Sequence, residues 1–181
     1  MNMNCEQLEK NVIDVLCEQQ LKLGFMPGDI RLYYPPRSLA ALLNTEADKE
    51  KLTHALETEF ADYVGDRLGR PEISDDGDRL CLCFPEKAGL WVRDHMPEHA
   101  FLEAFIKLIG SHHAGMDEVL SLFRQYGKAH VEPMPGGEEG TLVYFENGTP
   151  DDYRYCLTEE MGHVGYHRFT PQDFAALFEE D

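Results

Sequence analysis

The sequence predicts an α+β fold, with a helical N-terminal half carrying a β-hairpin, two central helices, a C-terminal antiparallel meander and a closing helix. Three observations predict it. Apolar residues recur at helical spacing in blocks near the start and in the middle, whereas period-two alternation follows a turn signal at Asp76-Gly77 and returns in the final third. Helices and strands thus come in runs and not in strict alternation, which separates this class from a parallel βαβ sheet. The length of 181 residues, 43% of them apolar, is enough for a sizeable core and is read as one domain spanning 1–181.

Each element has a local cause. Leu8, Val12, Val15, Leu16 and Leu23 lie at helical spacing over Glu6 to Leu23, and Gly24 is the stop. Pro27-Gly28 is a turn, after which Ile30, Leu32 and Tyr34 alternate as a short strand ended by Pro35-Pro36. Ser38 to Leu43 reads as a short helix. From Thr45, Leu52, Leu56, Phe60 and Val64 trace the face of a longer helix that ends by Gly69-Arg70-Pro71. The hairpin is expected to turn at Asp76-Gly77, where Gly supplies a positive φ, with Asp78 to Phe84 as its second strand.

Pro97 to Ile109 reads as a helix with Pro in its first turn and Gly110 at its end. Met116, Val119, Leu120, Phe123 and Tyr126 mark the next helix, stopped by Gly127. Pro133 to Gly137 is a loop and Thr141 to Glu146 a strand. Asn147-Gly148-Thr149 is a turn, and Tyr153 to Thr158 pairs with Val164 to Phe169. Thr170 is the expected N-cap of the last helix, with Pro171 at its first position, an acid in its first turn, and Phe174, Leu177 and Phe178 inward. Its closing Glu179-Glu180-Asp181 opposes the helix dipole, so that end is expected to fray.

Charge and cysteine usage bound the function. Sixteen Lys and Arg against 34 Asp and Glu give a net charge of −18. With no Lys/Arg cluster in the chain, nucleic acid and anionic lipid are not expected partners. The acidity reads chiefly as solubility and secondarily as recognition of a basic partner. No apolar run approaches the length of about 18 residues that a membrane span needs. The start, Met1-Asn2-Met3-Asn4-Cys5-Glu6, lacks the basic and apolar regions of a secretory signal. The five cysteines, Cys5, Cys17, Cys81, Cys83 and Cys156, are an odd number without a framework, so free thiols and a cytoplasmic location are expected.

No phosphate loop, dinucleotide fingerprint, zincin helix or nucleophile elbow is present in the sequence. Metal-ligand candidates are His112 and His113, adjacent in the Gly110–Gly115 connection, and His163 and His167, four residues apart. On a strand those last two span about 13 Å, too far to close on one ion. His95 and His99 are expected to straddle a helix start. Cys81 and Cys83 share a strand face, where a C-x-C lacks the second pair of a structural zinc site; both are read as thiols packed beside Leu and Phe. Asp75-Asp76-Gly77-Asp78 lacks the spacing of a calcium loop.

The catalytic candidates are Cys156 and His167. If Met161-Gly162 is a two-residue turn, positions summing to 323 face each other. Cys156 then opposes His167 within about 5.5 Å, Tyr155 meets Arg168, and Leu157 meets Tyr166. An imidazolium beside a thiol can activate it as a nucleophile. The alternative, a type I turn at Glu160-Met161 with Gly162 as a bulge, opposes Cys156 to Tyr166 and sets Arg154 against Arg168.

Ile30-Arg31-Leu32-Tyr33-Tyr34-Pro35, Leu122-Phe123, Tyr155-Cys156 and Tyr166-His167-Arg168-Phe169-Thr170 together resemble a bacterial domain-of-unknown-function family from anaerobic, mostly gut-associated Firmicutes. The resemblance covers nearly the whole chain and implies no activity, cofactor or catalytic residue. Two readings stay open. The first is a non-catalytic cytosolic binding or interaction protein, for which Tyr144, Tyr153, Tyr155 and Tyr166 could form a contact patch for a protein partner, although most are more simply core or half-buried sheet residues. The second is a small enzyme or metal-binding protein built on Cys156, His163, His167, His112 and His113. No cofactor is implied, and monomer and dimer are both open.

Overall fold

A computed structural model describes residues 3–179 of the chain. It is an α+β protein with two antiparallel sheets, of three and four strands. The chain divides into two compact units, one running to Pro97 and the other starting at Glu98. Each is described by itself.

In the first unit, α1 (Cys5–Leu23) starts where Asn4 accepts a hydrogen bond from the Gln7 amide, and it stops at Gly24, whose φ is +75°. Strand β1 (Ile30–Tyr34) leads into α2 (Pro36–Leu43). Helix α3 (Lys49–Ala55) is capped by Asp48 and continues through a π-helical turn (Leu56–Phe60) into α4 (Ala61–Leu68). The Thr58 hydroxyl donates to the His54 carbonyl at 2.7 Å within this widened stretch. Strands β2 (Glu72–Asp76) and β3 (Arg79–Phe84) form the hairpin, and α5 (Glu86–His95) closes the unit. Strand order is β1-β3-β2.

One apolar cluster holds this unit together. Leu8, Val12 and Leu16 of α1 meet Leu39, Leu42 and Leu43 of α2. The 49–68 rod adds Leu52, Leu56, Phe60, Val64 and Leu68, the sheet adds Leu80, Leu82 and Phe84, and α5 adds Ala88 and Val92. At roughly 1.5–3 kcal/mol for each large side chain buried, this cluster dominates over the polar contacts at its rim. Those contacts fix register: Arg67 forks onto the Glu9 carboxylate at 2.6 and 2.9 Å, and the Tyr34 hydroxyl donates to Asn11 at 2.7 Å.

Two features of this unit differ from expectation. The hairpin turns at Gly77-Asp78, one residue later than read, with Asp76 paired to Arg79. Gly77 alone takes a positive φ there, as the first position of a type II′ turn does. A turn at Asp76-Gly77 would have set Asp75 opposite Asp78; the observed register gives Asp76 an ion pair with Arg79 at 3.2 Å. Helix α5 was not anticipated, because Gly89 interrupts its pattern. That glycine sits in a tight place: an added Cβ would lie 3.2 Å from the Ile30 side chain and 3.3 Å from that of Phe25, which would have to give by a few tenths of an ångström.

In the second unit, α6 (Ala100–Gly110) and α7 (Met116–Tyr126) precede a four-stranded meander. Its strands are β4 (Ala129–Pro133), β5 (Thr141–Phe145), β6 (Arg154–Glu160) and β7 (His163–Phe169), in spatial order β4-β5-β6-β7. Helix α8 (Pro171–Phe174) continues into a π-helical turn (Ala175–Glu179). The Thr170 hydroxyl accepts from the Asp173 amide at 3.1 Å, so the predicted cap is formed. The fraying expected of Glu180 and Asp181 lies outside the described residues.

Helix α6 starts at Ala100 with the His99 ring as its cap, so Pro97 lies outside it. Strand β4 went unread because it is five residues long and ends in Pro133, which only an edge strand tolerates. The helices cover one sheet face through an aromatic cluster: Phe101, Phe105 and Phe123 meet Phe145 and Tyr155 with ring centroids 5.0–5.8 Å apart. The other face packs Leu142 and Cys156 with Met134 and Phe174.

Candidate functional site

The β6–β7 hairpin sets the geometry of the catalytic candidates. Met161 and Gly162 both have positive φ, 52° and 77°, forming the two-residue turn. Cys156 therefore opposes His167, Tyr155 opposes Arg168 and Leu157 opposes Tyr166. The bulged alternative, with Arg154 against Arg168, is not formed; Arg154 pairs with Phe169.

Opposition does not make a dyad. Cys156 is buried beside Met134, Leu142 and Phe174, and burial pushes its thiol up to about 11. A thiol in that state is neutral near pH 7 and a poor nucleophile. His167 is exposed and stacks on Phe169 at 6.2 Å. The apolar packing governs the thiol more than the nearby imidazole does.

The remaining histidines separate by environment. His112, in the α6–α7 connection, meets His163 at the start of β7 with ring centroids 5.9 Å apart, edge to face. His113 is exposed, and His167 shares the β7 face of His163 four positions on. His95 closes α5, stacked on Trp91 at 4.4 Å with Nδ1 2.8 Å from the Trp91 carbonyl. His99 caps α6, accepting at Nδ1 from the Leu102 amide at 3.2 Å. Among the described residues no group of three or more His, Cys, Asp and Glu is placed to hold a metal ion.

A buried polar network in the second unit was only partly legible in the sequence. The Tyr155 hydroxyl donates to Asp151 Oδ2 at 2.6 Å, and Arg168 Nε donates to the Tyr155 hydroxyl at 3.2 Å. Arg168 Nη2 lies 3.7 Å from Asp151, and its guanidinium covers the Tyr153 ring at 4.1 Å. The two charged side chains are only 9% and 4% exposed. Burial alone would raise the Asp151 carboxyl, but hydrogen bonds from His99 and Tyr155 and the Arg168 charge hold it below the ordinary range. Burial, first of all, drives Tyr155 well above the usual phenol value, so it stays a donor.

His99 Nε2 lies 3.4 Å from Asp151 Oδ2, which superficially forms a carboxylate–imidazole pair. Its Nδ1 lone pair is occupied by the α6 amide, so the neutral ring carries its proton on Nε2, facing Asp151. The nitrogen that would act as a base is therefore committed to capping the helix. Tyr155–Arg168 was visible from the β6–β7 register. Asp151 and His99 were not, because no local periodicity links a loop carboxylate to a helix cap 52 positions earlier.

In the first unit, Cys81 and Cys83 share a face as expected, but it is the face away from Leu80, Leu82 and Phe84. Their cross-strand neighbours are Tyr33 and Ser74 for Cys81, and Arg31 and Glu72 for Cys83. Cys81 is buried as expected and Cys83 is half-buried, but the alternation turns both away from the Leu and Phe side chains of their own strand. Of the two readings of the meander tyrosines, the simpler one holds: Tyr153 and Tyr155 are core residues, and Tyr144 and Tyr166 are half-buried, so no exposed patch is formed by them.

The fold and these sites thus define an α+β protein with a buried tyrosine–arginine–aspartate network and a sequestered thiol. The chain belongs to the family described as "Domain of unknown function, E. rectale Gene description (DUF3877)", which matches residues 5–178. No curated protein and no solved structure matches it.

Proposed function

We propose that this is a non-catalytic cytoplasmic binding protein that engages a protein partner through the end of α1 and the loop after it. The observation that carries this reading is the exposure of two large apolar side chains three positions apart, Leu23 at 66% and Met26 at 55%. Met26 borders a hollow lined also by Leu16, Gln20, Pro27 and Ile30. Phe25 between them is anchored, half-buried under the Arg93 guanidinium at 5.0 Å. An anchored loop presenting apolar side chains is suited to contact, since little ordering is needed on binding.

Charge supports the class of partner. At −18 the protein attracts basic surfaces and repels acidic ones, which favours a basic protein segment with an apolar anchor. Free thiols at all five cysteines fit a reducing compartment, and no described helix is long and apolar enough to cross a membrane. The enzyme reading built on Cys156 draws no support from a neutral, buried thiol.

The test is quantitative affinity capture with the intact chain against a Leu23→Glu/Met26→Glu variant. A partner held by the wild type and lost from the variant, with salt-dependent recovery, is the expected result. Equal recovery by both proteins, or no reproducible partner, overturns the proposal.

A further inference from the structure

We infer that His112 and His163 form a two-imidazole binding site for a borderline divalent transition-metal ion such as Zn2+, Ni2+ or Cu2+. The site is independent of the α1 contact surface and lies wholly within the second unit. Its two ligands come from separate segments, the α6–α7 connection and the first residue of β7.

The ring separation meets the requirement for chelation. A metal sits about 2.1 Å from a coordinating imidazole nitrogen, hence about 3.2 Å from the ring centre, so two rings can share an ion only when their centres lie within about 6.4 Å. The observed 5.9 Å satisfies that limit with modest rotation about the side-chain bonds. Among the described residues neither ring is occupied by a hydrogen bond, in contrast to His95, His99 and His130, whose rings contact Trp91, Leu102 and Glu132. Both residues are exposed, so an ion and its waters can reach them.

The surroundings suit a cation. Glu160 is the cross-strand partner of His163 and lines the same open hollow of about 310 Å³, together with Thr158 and Met161. A carboxylate there adds local negative charge beside His163. Imidazole donors select borderline ions over Mg2+ and Ca2+, which prefer all-oxygen sites. His112 adopts a left-handed backbone, φ 57°, at a position where glycine would be unstrained. The β6–β7 turn fixes His163, so the two ligands are held by different constraints and neither depends on the ion for its place.

The site explains why the four histidine candidates are not equivalent. His167 lies about 13 Å along β7 from His163, and its ring is engaged with Phe169. His113 makes no ring contact with His163. A two-ligand site leaves the rest of the coordination sphere to water, in keeping with the lack of any group of three or more His, Cys, Asp and Glu placed to hold an ion among the described residues.

The experiment is calorimetric titration of the tag-free, reduced full-length protein with Zn2+ near pH 7.5, with Co2+ absorption spectra recorded in parallel. The expected result is one site, weakened about tenfold or more by His112→Ala and equally by His163→Ala, since even outer-shell partners are worth about 10–100-fold. His113→Ala and His167→Ala are expected to leave it unchanged. All four positions are exposed, and circular dichroism verifies that each variant is folded. No saturable site, loss from His113→Ala matching that from His112→Ala, or a thiolate-to-Co2+ charge-transfer band assigning the ion to cysteine would each overturn the inference.

Discussion

Removing the Asp151 carboxylate tests whether the buried network stabilises the second unit. Asp151 and Arg168 are nearly sequestered from water, with a nitrogen-to-oxygen distance of 3.7 Å. At an effective dielectric of about 20 this separation corresponds to roughly 4 kcal/mol of attraction. Asp151→Ala also deprives the Tyr155 hydroxyl and the Tyr153 amide of their acceptor, at 2.6 and 3.1 Å. Breaking a buried pair by deleting one member costs about 3–5 kcal/mol, and that loss is expected here. Asp151→Asn keeps the shape and one acceptor, so about 2–3 kcal/mol is expected.

The pH dependence supplies a sharper criterion. Asp151 is held below its ordinary value in the folded state, so its contribution is fully present above the unfolded carboxyl value of about 3.9 and is lost as pH falls through the folded value. Urea unfolding followed by far-UV circular dichroism should give a wild-type minus Asp151→Asn gap that is flat from pH 7 to about 4.5 and narrows below it. Taking the difference cancels the titration of the other acids. A loss below about 1 kcal/mol at pH 7, or a gap that widens with acid, would refute the reasoning.

Four further changes follow from particular contacts. Cys156, with its thiol pushed up to about 11, should resist a charged disulfide reagent in the native protein at pH 8, where only about one molecule in a thousand carries the thiolate; the half-buried Cys5 and Cys83 should react before the three buried cysteines by peptide mass mapping. Gly127→Ala should cost about 1–3 kcal/mol in urea unfolding, because the new Cβ would lie 2.8 Å from both Phe145 Cδ1 and the Thr149 carbonyl oxygen. Met161→Asn should stabilise by about 0.5–1 kcal/mol in thermal unfolding, since the side chain is 99% exposed and its backbone is left-handed. Ser38→Ala should stabilise by about 1 kcal/mol, as the buried hydroxyl finds no hydrogen-bond partner among the described residues.

What the sequence made legible follows the range of each interaction. The β6–β7 register could be reasoned out because a short turn and a like-charge penalty between Arg154 and Arg168 select one pairing. The β2–β3 turn was misplaced by one residue because Asp76-Gly77 looks like a type I′ turn, and only the cross-strand charges favour Gly77-Asp78. Helix α5 was hidden by Gly89, whose tight surroundings come from Phe25 and Ile30 and not from its neighbours in the helix. Strand β4 was hidden by Pro133, whose tolerance depends on an edge position that local pattern does not reveal.

The candidate sites follow the same logic, with a consequence for function. Cys156 and His167 were brought together as read, yet the apolar residues covering the thiol determine its chemistry, and they come from segments remote in sequence. The Asp151–His99 contact looks reactive only until the helix cap on Nδ1 is considered. Among the candidate groups, Cys156 is buried and neutral, and Asp151, Tyr155 and Arg168 are paired with one another. The side chains left chemically open are exposed ones: the His112–His163 pair among the ligating groups, and Leu23 with Met26 among the apolar ones. The metal titration and the affinity capture test these two groups of exposed side chains separately.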